Sequence, residues 1–322
     1  MPCSGVHLLT AGRALTAASR GGPPLPFPVD DPECRASFLH GALGPDMGFV
    51  PGADRFVSEV SHYVQSVDLA RTLVQRASTG PEAGFAWGWV THVLTDLVLH
   101  PEVGKACGER LRGDREVRLN AAEDLPTHVG MEVGLDLSIL ASEQGIPGPP
   151  RYDAFDVRSI RYLRESLEEV YGIRWSQGEL LATHRRSVVM NIRWPRALRV
   201  LEWGRDIAGA GRNRIQGLVG RAAAGVGSAL ARPTGAARGF FHPIRPPEWL
   251  LGEVRRLADD FPERLALLTG GGLDTLPNHN LETGAPDEAP VPHPDAEKTA
   301  LRVASLRNAV GVPARRPVAG PG

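Results

Sequence analysis

The sequence predicts an all-α protein, and three observations carry that expectation. Apolar residues recur at intervals of three and four along most of the 322-residue chain, the spacing that gathers them on one face of a helix. No stretch of useful length alternates apolar and polar residues as a half-buried strand does, and no internal repeat is present. The third observation is the run HVLTDLVLH from His92 to His100. Four residues advance a helix by slightly more than one turn, so His92, Asp96 and His100 stack in a row about 6 Å apart.

Periodicity and breakers place helices at 6–19, 54–77, 82–100, 126–143, 156–171, 176–190, 194–207 and 247–268. Asp54 is placed to cap the second, and Thr79–Gly80–Pro81 separates it from the third. The segment PGPPRYD at 147–153 is not helical, because consecutive prolines remove donors and fix φ. The ligand-bearing residues lie within 1–140 and need one shared core, so 1–283 is expected to form one domain. Within it, 185–256 is rich in Gly and Arg and basic, either a solvated insertion or a face that meets anionic lipid headgroups. The tail 284–322, rich in Pro and Ala, is expected to lack fixed structure.

A net charge of −1 gives no global pull toward nucleic acid or membrane. Cys3, Cys34 and Cys107 form no C-x-x-C pair and are odd in number, which argues against a disulfide framework. No run of eighteen apolar residues is present, and the N-terminus lacks the cationic start of a signal peptide, so a cytoplasmic location is expected. No G-x-S-x-G elbow, Walker loop or H-E-x-x-H helix supports a serine hydrolase, nucleotidase or zincin.

The chemistry lies in the His and acid pattern. Val93, Leu94, Leu97, Val98 and Leu99 surround the His92–Asp96–His100 row with apolar side chains. Imidazoles and a carboxylate in such a place need partners, either one another or a metal ion. His128 and Glu132 repeat the four-residue spacing among Val129, Met131 and Val133. His62 lies in a further helical stretch, Asp46 in a Gly–Pro–Asp turn, and His7 in the apolar run VHLLTAGRAL. Eight His, Asp and Glu residues thus stand in apolar context, and zinc suits a set of imidazoles and carboxylates. His40 precedes the Gly–Pro–Asp turn and reads as packed, Trp87 and Trp89 read as core, and His279 and Glu282 in LPNHNLETG are placed to cap a cleft from the C-terminal side.

In this order, His7, Asp46 after Gly–Pro, His62, GWVTHVLTDLVLHP and HVGME resemble the zinc-dependent phospholipase C family. That family shares its all-helical fold with the fungal single-strand nucleases. The resemblance spans roughly residues 1 to 140 and implies a metal cleft with two or three zinc ions. It implies that Asp46, His62, His92 and Asp96 hold one ion and that His100, His128 and Glu132 hold a second. His7 holds the third, with Asp96 bridging. In the best-known members an N-terminal Trp completes the third site, whereas this chain starts Met1–Pro2–Cys3. Either the Pro2 amine or the Cys3 thiolate substitutes, or that site is weak. The interval from Asp96 to His100 is also shorter than in the secreted phospholipases, which alters the rim of the cleft.

The activity implied is hydrolysis of a phosphodiester, phospholipase C cleavage of a phospholipid headgroup first. Asp46 is the candidate base for the attacking water because a turn residue lacks helical constraint. Glu132 stands where the phospholipases carry Glu and the nucleases Asp. A nuclease needs aromatic platforms for unpaired bases, and with 6% aromatics no stable nucleic-acid complex is expected. A metal-stabilised module without activity is the third reading, disfavoured because structural zinc sites are usually closed and Cys-rich. A phospholipid or other phosphodiester substrate and peripheral membrane contact are the expected partners.

Overall fold

A computed structural model describes residues 4–151, 157–210 and 242–309, the side chains of 194–210 excepted. The described residues are helical and contain no strand, only an isolated bridge between His279 and Pro286. The elements are α1 (Ser4–Ser19), α2 (Pro32–Ala42), a 3-10 turn (Pro45–Phe49), α3 (Arg55–Tyr63), α4 (Ser66–Arg76), α5 (Gly80–Arg112), α6 (Leu125–Ser142), α7 (Val157–Tyr171), α8 (Gln177–Ala210), α9 (Glu248–Leu267) and α10 (Pro294–Ala309). None is long and apolar enough to cross a membrane among the described residues.

Helix α5 is the axis of the fold, packed on α1, α2, α4, α6 and α9. Thr79 caps it in a capping box with Glu82, and Gly80 and Pro81, expected only to separate two helices, form its first turn. It does not stop at His100. It continues through Pro101 to Arg112 and ends on Gly113 in the left-handed region. A helix-interior Pro costs about 3 kcal/mol. Burial of Val103, Ala106 and Cys107 on the far side of Pro101 offsets that cost.

Helices α2 and α5 pack backbone to backbone. Gly41 faces α5, and Gly84 and Gly88 face α2. A Cβ on Gly88 would lie 2.0 Å from the Phe38 carbonyl oxygen, and one on Gly41 equally near that of Phe85. Helix backbones approach this closely only where side chains are absent. Helix α2 itself was not among the expected helices. Its signal is Asp31 followed by Pro32: the Asp31 carboxylate accepts from the N–H groups of Glu33 and Cys34, and Pro occupies the first turn.

Three further expectations are corrected. The single helix expected at 54–77 breaks at Gln65, whose φ of 50° is left-handed. Asn278, more than 200 positions away, accepts from the exposed N–H groups of Val67 and Asp68 and so makes the break tolerable. The helices expected at 176–190 and 194–207 form one, α8. The tail is not without structure from Gly284. Its residues to Ala309 include α10, which packs on α3, with Val303 and Thr299 buried. Residues 310–322 of that tail, 211–241 of the basic segment and the Met1–Pro2–Cys3 start lie outside the described residues.

Candidate metal centre

Five elements deliver the eight predicted residues to one place, all of them buried. His7 comes from α1, Asp46 from the 3-10 turn, His62 from the end of α3, His92, Asp96 and His100 from α5, and His128 and Glu132 from α6. Asp96 is the hub. One of its oxygens, Oδ2, lies 3.0 Å from His92 Nε2 and 3.5 Å from His62 Nε2. The other, Oδ1, lies 3.3 Å from His7 Nε2 and 3.8 Å from His100 Nε2. Asp46 Oδ1 is 3.3 Å from His62 Nε2, and Glu132 Oε1 is 3.4 Å from His100 Nε2 and 3.3 Å from His128 Nε2.

Three groups of potential ligands result: His7, His92 and Asp96; Asp46, His62 and His92; and His100, His128 and Glu132. These buried groups can hold a metal ion. Ligands bonded to a tetrahedral ion at about 2.0–2.1 Å stand about 3.3–3.4 Å from one another. The observed separations of 3.3, 3.4 and 3.5 Å fall at that spacing, longer than a good hydrogen bond.

The outer partners of the imidazoles point the same way. His62 Nδ1 donates to the Ser58 carbonyl at 2.8 Å, His92 Nδ1 to that of Ala42 at 2.9 Å, and His100 Nδ1 to that of Leu281 at 2.8 Å. A carbonyl only accepts, so each Nδ1 carries a hydrogen and each ring turns Nε2 inward. His62 and His92 then face each other, Nε2 to Nε2, at 3.4 Å. Two lone pairs at that distance repel unless a proton or a cation lies between them. Among the described residues, the buried Asp96 Oδ2 has no partner in hydrogen-bond geometry. A fully buried carboxylate oxygen needs a positive partner, which a protonated imidazole or a metal ion supplies.

Protonation follows the carboxylates. Burial by itself lowers the pKa of His62, but Asp46 and Asp96 outweigh it and draw the value up to about 10. Burial likewise opposes the rise of His100, where Asp96, Glu132 and Glu282 bring it to about 9. His7 moves down, because burial and the neighbouring His92 outweigh Asp96. Asp96 stays ionised: burial raises its pKa, yet His100, His92 and His7 hold it well below the usual carboxylate range. A metal ion entering the site displaces protons from the imidazoles.

Two acids at the site lie beyond the eight. Asp136 continues the row of His128 and Glu132 by one more turn, a spacing visible in HVGMEVGLD. It is buried, and its Oδ1 accepts from the Gly5 N–H at 2.9 Å, which caps α1 and sets where His7 stands. Glu282 is the second. The C-terminal LETG segment does close on the cluster, with Glu282 Oε1 at 3.4 Å from His128 Nε2. His279 does not join it: its ring turns to the Pro277 carbonyl and stays outside the cluster.

His40 is packed, as expected, with Nε2 3.1 Å from the Arg151 carbonyl oxygen and its ring 5.0 Å from that of His184. Burial lowers His40 to about 4, and burial together with His40 holds His184 well below its ordinary value. Both rings are neutral in the fold and take up protons only on unfolding. The unfolded chain therefore binds more protons between about pH 6.5 and 4, and stability falls as pH falls through that window. The slope is about 1.4 kcal/mol per pH unit for each ring at most. Between pH 7 and 5 the unfolding free energy of His184→Phe, measured in urea, should gain about 1–2 kcal/mol relative to wild type. A difference that stays constant with pH would contradict this.

Trp87 and Trp89 are core residues, and Cys34 and Cys107 are buried and unpaired. Comparison with protein-family models, with curated proteins and with solved structures finds no match to this chain. The class defined by fold and site is an all-α protein with buried His, Asp and Glu groups able to hold metal.

Proposed function

We propose that the chain is a zinc-dependent phosphodiester hydrolase, with phospholipase C cleavage of a phospholipid headgroup as the leading activity. The observation that carries this reading is that eight His, Asp and Glu residues from five elements form three adjoining groups, with Asp96 3.0–3.8 Å from four of the imidazoles. Adjacent metal ions favour phosphoryl chemistry: when bound, zinc lowers the pKa of a coordinated water toward about 7 and clamps phosphate oxygens.

The residues divide that work. His62, His92 and Asp46 would hold one ion with Asp96, His100, His128 and Glu132 a second, and His7 a third shared through Asp96. Carbonyls of Ser58, Ala42 and Leu281 fix three of the rings so that Nε2 faces inward. Side-chain exposure is 11% for Asp46 and 9% for His100, against 0–3% for His7, His62, His92, Asp96, His128 and Glu132. Substrate therefore meets the site on the side of Asp46 and His100. Asp46 takes the proton of the attacking water at a carboxylate oxygen, consistent with its being the most exposed of the eight, at the start of the short 3-10 helix rather than in the sequence-expected free turn. As the water oxygen bonds to phosphorus, the bond from phosphorus to the leaving alkoxide breaks; that alkoxide takes a proton from solvent water, and Asp46 returns to solvent the proton it took.

Glu132 at the last position favours the phospholipase over a nuclease of the same fold. Metal analysis followed by assays on phosphatidylcholine, single-stranded DNA and a chromogenic phosphodiester tests the reading. Zinc at two or three equivalents, with hydrolysis of the lipid and the chromogenic substrate, is expected. Removing the metal with a chelator should abolish turnover and lower the melting temperature, because binding energy becomes folding energy when buried ligands lose their ion. Absence of zinc, with a melting curve that the chelator leaves unchanged, would overturn it.

A further inference from the structure

We propose that Glu282 is a fourth protein ligand of the metal held by His100, His128 and Glu132, carried into the centre on the loop 278–285. This rests on the reading of the cluster as a metal centre and adds a ligand from a part of the chain far from the other eight. Glu282 is buried, and its Oε1 lies 3.4 Å from His128 Nε2. That equals the separation of two other members of the group, Glu132 Oε1 and His100 Nε2. His128 Nε2 therefore stands between two carboxylates, Glu132 at 3.3 Å and Glu282 at 3.4 Å. One imidazole nitrogen bears a single proton and donates to one of them. A cation satisfies both at once.

The loop is built to hold this carboxylate in place. The Leu281 N–H donates to the His62 carbonyl at 2.8 Å, and the Leu281 carbonyl accepts from His100 Nδ1 at 2.8 Å. Residue 281 thus touches a ligand of each of two groups. On the other side, Glu282 Oε1 accepts from the Ala121 N–H at 2.8 Å, and Asn280 Oδ1 accepts from the N–H groups of Glu282 and Thr283. Asn278 and His279 anchor the start of the loop on α4, through the Val67 and Asp68 N–H groups and the Ser66 hydroxyl. A carboxylate buried beside three ionisable ligands, held by the Ala121 N–H and carried on a loop anchored by these hydrogen bonds, is positioned as ligands are. The second ion then has four protein ligands, and it ties the C-terminal segment to α5 and α6.

Three proteins test this: wild type, Glu282→Gln and Glu282→Cys. Zinc retention in chelator-buffered zinc is expected to weaken by at least tenfold for one ion in Glu282→Gln, with the affinity for the others unchanged. With cobalt(II) in place of zinc, Glu282→Cys should gain thiolate-to-cobalt charge-transfer intensity in the near ultraviolet beyond any band the wild type shows. A cysteine variant that binds cobalt as fully as wild type without this added intensity overturns the proposal, as does a Gln variant with unchanged zinc affinity. A wild type that binds no metal overturns the metal centre itself and the proposed function with it. If circular dichroism shows that a variant has not folded, anomalous scattering from zinc in wild-type crystals decides: a Glu282 oxygen at bonding distance upholds the ligand, and its absence removes it.

Discussion

Asp96→Asn is expected to cost more activity than any other single change in the site. Asp96 faces four imidazoles, at 3.0 Å from His92, 3.3 Å from His7, 3.5 Å from His62 and 3.8 Å from His100. It is the only acid in reach of all three ligand groups' imidazoles among the described residues. The amide keeps the volume and removes the charge, so neighbouring cations would stand in a buried site without their shared counter-ion. Breaking a buried pair from one side costs about 3–5 kcal/mol, and each 1.4 kcal/mol is tenfold in rate or binding. Turnover on a phosphodiester is expected to drop by at least about a hundredfold, with zinc content falling below wild type. His7→Ala should lose less, because His7 reaches the cluster only through Asp96 and the stacked ring of His92. Full zinc and full turnover in Asp96→Asn would remove the bridging role.

The second large effect is structural. Gly88→Ala sets two terms against each other. Replacing a helix-interior Gly by Ala gains about 1 kcal/mol in an exposed helix. Here the new Cβ would sit 2.0 Å from the Phe38 carbonyl oxygen and 2.8 Å from the Ala42 nitrogen, both rigid backbone. Forcing α2 off α5 to relieve such a contact costs about 3 kcal/mol or more, so packing wins and the protein is destabilised. The change also reaches the site: the Ala42 carbonyl that orients His92 would move with α2. Both the melting temperature and zinc affinity should therefore fall. A variant with a raised melting temperature would show that helix propensity outweighs the close approach.

The candidate ligand set is legible in the sequence for a simple reason. His92, Asp96 and His100, like His128 and Glu132, share a helix, and the helical repeat converts spacing into direction before any tertiary contact is known. The apolar frame around them announces burial, and burial of acids and imidazoles announces a partner. Local signals were also present for α2, where Asp31 and Pro32 start a helix, and for Asp136, one turn beyond Glu132.

What sequence could not reach depends on contacts between distant residues. Gln65 has no turn chemistry to mark a break, and the Asn278 side chain that makes the break tolerable comes from over 200 positions away. Pro101 reads as a stop, and only the burial of the residues beyond it carries α5 onward. The same holds at the centre. Composition and spacing determine that this is an all-α protein with imidazoles and carboxylates placed together on helix faces. The tertiary structure alone decides which carbonyls fix the rings, how closely α2 approaches α5, and that Glu282 closes on His128, because hydrogen bonds and close contacts have no period along the chain.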